Sequence, residues 1–204
     1  MNSLGFSMFN SGIKLFVFCF ILLLDQSAYS QHQIIQIASR ENSYCNSTCT
    51  LLDFPGLKKN PAALVFAFPV MLNGINTYPY PIDVHFINEK WAIINLDQSA
   101  MPAGSKCNVQ YFSTPDPSYQ FTHQLYQENP NDNNTSSVID HPGHNNNPGA
   151  KFQFISNGNG NGNNLYDINI QYDNTTGQWY IHNTHRKSLD NNIVFNIFIH
   201  QTFL

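Results

Sequence analysis

The sequence predicts an all-β fold, built as two tandem homologous antiparallel β-sandwich-like units, with one larger merged sandwich as the alternative. Three observations carry this expectation. Charged residues make up only 11% of the 204 residues while aromatics reach 14%, and Gly and Pro number 11 each; that balance suits many strands joined by turns. Beyond residue 30 no stretch holds a helical period over ten residues, whereas alternation of period two recurs. Finally, the chain repeats itself: Trp91-x-Ile93-x-Asn95 is answered 88 positions later by Trp179-x-Ile181-x-Asn183.

Taken in order, residues 1–30 read as an export signal. Lys14 supplies the charge, "LFVFCFILLL" (15–24) the apolar core, and Ala28 and Ser30 the small residues before a cleavage point. Ten apolar residues span only about 15 Å as a helix, half of a roughly 30 Å hydrocarbon core, so cleavage is favoured over a retained anchor. The expectation is a secreted, extracellular or periplasmic protein with no membrane attachment after cleavage. Cys45, Cys49 and Cys107 remain. Cys45 and Cys49 sit close enough in "SYCNSTCT" for a small disulfide, as an oxidising compartment would permit.

The first unit is assigned to residues 31–112, a Pro-bounded linker to 113–120, and the second unit to 121–204. Asp53 and Pro55 match Asp140 and Pro142, and "NPAA" (60–63) matches "NPGA" (147–150), at an offset of 87. Beyond an inserted residue the offset becomes 88, pairing Ile82 and Val84 with Ile170 and Tyr172, and Asp83 with Gln171. "ALVFAF" and "KFQFI" run toward Asn-Gly turns, a strong hairpin signal. The alternating runs that follow keep the same face apolar in both copies, which places Trp91 and Trp179 in the core. In the last strand "CNV" (107–109) matches "FNI" (195–197), so Cys107 takes a core position held by Phe195. About six strands per unit result, and units of about 80 residues bury too little surface alone, so the two should pack together.

The run "WAIINLDQSAMPAGSKCNVQYF" resembles a repeat of an uncharacterised family of secreted bacterial β-repeat domains, roughly W-A-I-F-N-Q-D, then M-P-x-G-x-x-F-N-V. "HQLYQENPNDNNTSSVIDHPGHNNNPGAKFQF" (123–154) is similar to the opening of the same repeat: His, a polar loop, D-H-P, then N-x-N-P-x-A. The likeness spans most of residues 31–201. Phe54 stands where the family has His, and the second copy lacks the N-Q-D and M-P-x-G signatures. What the resemblance implies is a secreted β domain; it brings no established activity with it.

The chemistry-bearing residues are sparse. A net charge of −4 without a basic stripe argues against nucleic acid. There is no G-x-S-x-G, no Cys–His pair at a known spacing and no phosphate-cradling loop. "DHPGH" (140–144) and "HNTH" (182–185) both carry His-x-x-His, but no third ligand follows by spacing, so loop histidines are favoured over zinc. His123, Asp140 and His141 match the family pattern and are read as a hydrogen-bond network pinning a loop to the sheet. With His144 they would also be the ligands of a metal-assisted hydrolase, the rival reading; Asp83 and Glu89 are an imaginable glycosidase pair. "NGNGNGNN" (157–164) lacks carboxylates and is read as a hairpin tip rather than a calcium loop. Tyr78 and Tyr80 in "TYPYP", with Asp97, His123, Asp140 and His141, are the candidate ligand-binding residues, suited to sugars or protein surfaces. The function expected is a non-catalytic binding module for glycans or cell-surface and matrix proteins, with no cofactor and no metal. A structural component of an extracellular layer is a third reading.

Overall fold

The computed structural model describes residues 31–39, 41–72, 75–76, 81–125, 135–158, 168–185, 188–189 and 193–200. The proposed signal segment, Tyr78 and Tyr80 lie outside these residues. Fifteen strands and one 3-10 turn at Cys45–Ser47 make up the regular structure described. The all-β prediction holds.

The first unit contains β1 (Gln31–Ile37), β2 (Ser43–Tyr44), β3 (Cys49–Leu52), β4 (Leu64–Pro69), β5 (Met71–Leu72), β6 (Ile75–Asn76), β7 (Ile82–Ile87), β8 (Lys90–Asn95) and β9 (Lys106–Phe112). One sheet has the order β1-β9-β4 and the other β2-β3-β8-β7, with β5 and β6 a separate two-stranded ribbon. The second unit contains β10 (Gln120–Gln124), β11 (Ser136–Ile139), β12 (Lys151–Ser156), β13 (Ile168–Asp173), β14 (Gln178–Asn183) and β15 (Val194–His200). Its sheets run β10-β15-β12 and β11-β14-β13. Replacing β1, β3, β4, β7, β8 and β9 by β10 to β15 in turn reproduces both orders, and every pairing is antiparallel. No sheet draws strands from both copies, so the fold is two sandwich-like units rather than one merged sandwich.

Register corrects one detail of the sequence alignment. Ile82 pairs with Asn95, and Ile168 pairs with Asn183. Because the two asparagines correspond, Ile82 matches Ile168, Asp83 matches Asn169, and His85 matches Gln171. The sequence alignment slipped by two residues because the turn between β13 and β14 is two residues longer than the Asn88–Glu89 turn. A slip of two leaves every side chain on its own face of a strand, which is why the apolar phase still agreed.

The tryptophans account for the line written twice. Trp91 Nε1 donates to the Asn60 carbonyl at 2.9 Å, and Trp179 Nε1 donates to the Asn147 carbonyl at 3.0 Å. Each indole thus closes its sheet onto the D-x-P-G loop, turning an otherwise unpaired donor into an anchor. Trp91 is buried and Trp179 half-buried. In both copies the loop then turns through a left-handed residue, Lys59 (φ 57°) or Asn146 (φ 62°). That residue's N–H donates to Glu89 or Gly177 in the facing hairpin.

Two apolar clusters form. The first gathers Leu52, Val65, Val84, Trp91, Val109 and Tyr111; the second gathers Ile139, Ile181, Phe195, Ile197 and Ile199. Cys107 is buried in the first, where burial pushes its thiol up to about 11, so it is an inert core group. Cys45 and Cys49 are bridged across a turn in which Cys45, Asn46 and Ser47 all have positive φ.

The units also pack on each other. Phe198 of β15 meets Phe112 at 5.1 Å and Phe66 at 6.5 Å between ring centroids, and Ile155 joins the first unit's cluster. Buried Asn196 donates from Nδ2 to the Val65 carbonyl at 2.8 Å. That bond satisfies a backbone acceptor on β4, the edge strand of its sheet.

Candidate functional site

The outer face of β7 carries Asp83 and His85, both buried. Asp83 Oδ1 accepts from the Val84 N–H, and Oδ2 lies 2.8 Å from His85 Nε2. Ser156 of β12 adds a further side-chain hydrogen bond to the carboxylate, so this cluster lies where the two units meet. Burial raises the Asp83 carboxyl above its ordinary range, against the pull of His85. Glu89, its imagined glycosidase partner, is instead on the surface in an ion pair with Lys59 at 3.3 Å. The two carboxylates serve different partners.

The histidines of the second unit divide into separate sets. His123 faces into the sandwich and bonds Ser137 Oγ at 3.0 Å, spanning its two sheets. Burial lowers its pKa. Asp140 is exposed and accepts from Asn145 Nδ2 at 2.7 Å. His141 accepts the Gly143 N–H at Nδ1, which places its proton on Nε2, and Nε2 donates to the Pro117 carbonyl at 2.9 Å. His141 also packs against Phe121 and His144, each with its ring centroid 4.5 Å away, and those two rings lie 5.9 Å from each other. The three residues expected to form one network therefore bond to separate partners. His141 and Asp140 fasten the D-H-P-G loop, while His123 ties the interior.

His144 takes the position of Leu57 in the first unit and is equally buried. Both its ring nitrogens lack a geometric partner. Burial, with the facing His141 second, pushes its pKa down to about 4. Parallel rings direct their in-plane nitrogens past one another rather than at a common point. Among the described residues no three His, Cys, Asp or Glu side chains converge as a metal-ligand set.

Asp97 holds its own turn, accepting the Ser99 N–H at 2.8 Å. The rest of that signature is similarly occupied: Asn95 Nδ2 bonds Ser99, Met101 N–H bonds the Ser47 carbonyl, and Gly104 turns at φ 87°. W-A-I-x-N…M-P-x-G is thus a rule for closing a loop.

A groove of about 470 Å³ opens on the outer face of the second unit's β11-β14-β13 sheet. Pairing sets Gln171 beside Tyr180 and Ser136 beside His182. Tyr172, Asp173 and the following turn close one end. Alternation places Ser136, Gln171, Asp173, Tyr180 and His182 outward because Trp179 and Ile181 point in, while Tyr172 shares the phase of Trp179. The sequence reading passed over Tyr180 and Gln171; their signal was the polar phase of "QWYIHN" and "INIQYD". The matching positions in the first unit are His85, Ala92, Cys49 and Ile94. There His85 is paired and buried, Ala92 offers no reach, and Cys49 is in the disulfide. One face is thus open and polar in the second copy and closed in the first.

The arrangement defines a tandem β-sandwich protein whose two copies share a scaffold and differ on one sheet face. The chain belongs to the family described as Domain of unknown function (DUF7452), which matches residues 20–111 and again 87–199. The two matches overlap across β8 and β9, the strands bearing the W-A-I and C-N-V signatures. No curated protein matches the chain. No solved structure matches it either.

Proposed function

We propose that this protein is an exported, non-catalytic binding module that attaches to a glycan-bearing or protein surface outside the cell, with the second unit contacting the partner and the first supporting it. The observation that carries the reading is the divergence of the two copies on equivalent sheet faces. In the first unit that face is filled by the Asp83–His85 pair, the disulfide and the contact with β12. In the second it is lined by side chains that can both donate and accept hydrogen bonds beside an aromatic ring, the usual chemistry of a polar recognition site. The bonds made by His123, Asp140, His141 and Asp97 give these residues structural work, which supports a scaffold reading of the signatures.

The test is binding of the full chain to a glycan array and to intact cell surfaces, each with and without chelator. Retained, chelator-insensitive binding to at least one surface is expected. Failure on both, or activity lost on chelation, would reject the reading.

A further inference from the structure

The geometry points to the groove over β13 and β14 as a site for the rings of a neutral glycan, with Tyr180 as the platform beneath the sugar. This inference deepens the binding-module reading and rests on it. Charge selects the ligand class first. The groove has one carboxylate, Asp173, and no Lys or Arg among the described residues that line it. Hydrogen bonds led by the Thr175 N–H hold the Asp173 carboxyl below the usual range, so it is ionised at neutral pH. A fixed negative charge without a cation repels phosphates, sulfates and uronates.

The donors and acceptors select next. Thr175 N–H reaches Asp173 Oδ1 at 2.7 Å and Thr176 Oγ1 reaches Oδ2 at 3.2 Å. Further bonds from the Thr175 hydroxyl and the Thr176 N–H fix this carboxylate at the end of the groove. Gln171 supplies both a donor and an acceptor, as a sugar hydroxyl requires. Tyr180 is oriented through its hydroxyl, which lies 3.3 Å from Thr176 Oγ1, so its ring is held by the hairpin that carries Asp173. The volume falls within the roughly 300–1,000 Å³ typical of small-ligand sites. No metal is required.

The experiment titrates the full chain with lactose, chitotriose and cellotriose, and with a heparin fragment and an oligolysine peptide as controls. Tyr180→Ala and Gln171→Ala are compared with wild type, and a melting curve checks each variant's fold. Both positions lie on the outer face and are dispensable for the core. The expected result is binding of at least one neutral oligosaccharide, weakened about tenfold or more by Tyr180→Ala and by Gln171→Ala at unchanged melting temperature, with Tyr180→Phe weakened less than Tyr180→Ala. Neutral-sugar binding that survives both substitutions would overturn this site while leaving the binding-module reading intact. Preference for heparin or oligolysine would overturn the ligand class. No binding to any of these probes, with cell-surface attachment retained, would overturn the glycan assignment alone.

Discussion

His144 shows at the level of one residue how the copies parted. Where the first unit buries Leu57, the second buries an imidazole whose neutral form alone suits the site. Its folded pKa of about 4 lies below the ordinary imidazole value of 6.5, so the unfolded chain binds the extra proton first. Stability from this group is present above pH 6.5 and is lost as the pH falls toward 4, on the order of 3 kcal/mol. His123, also depressed, acts in the same direction, whereas the raised carboxyl of Asp83 opposes it. Replacing His144→Leu should flatten the stability–pH slope between pH 6.5 and 4 and raise stability at pH 5, read by urea unfolding at both ends. An unchanged slope would show that the ring titrates normally.

At the level of elements, the D-x-P-G loop and its facing hairpin form the repeated device. Gly177 turns at φ 70°, and a Cβ there would collide with Asn146 Oδ1; Gly104 turns at φ 87° with open space around it. Gly177→Ala should therefore cost more than Gly104→Ala, about 2–3 kcal/mol against about 1 kcal/mol, since only the former adds a clash to the left-handed backbone. Equal losses in chemical denaturation would mean the loop yields freely. These elements were legible in the sequence to different degrees. Trp91, Ile93, Trp179 and Ile181 announced their strands through alternation that sterics enforce. The β13 register was not legible, because a two-residue slip preserves the apolar face and only hydrogen-bond pairing separates the choices. Nor was the groove, since Gln171 comes to lie beside Tyr180 only once the β13–β14 register is set.

For the whole molecule, duplication supplies a partner for surfaces that a small unit cannot bury. Phe198, Ile155 and Asn196 of the second unit cover the first, and Ser156 reaches its buried Asp83. Phe198→Ala should remove the aromatic contact with Phe66 and Phe112, cost about 2 kcal/mol, and divide one calorimetric transition into two. A single transition at the wild-type temperature would show that the contact couples nothing. The sequence carried the pairing of the copies but not its sign on each face. Asp83 and His85 occupy the polar phase of an alternating strand, and only the packing of β12 over them reveals a buried pair.

The central claim is that one of two equivalent faces has kept an open binding surface. The measurement that tests it most directly is amide chemical-shift mapping of the full chain titrated with whichever ligand it binds. The account predicts shifts concentrated in β13, β14 and the 174–177 turn, with β7 and β8 silent. Shifts centred on the first unit, or on the His141–His144 loop, would contradict it.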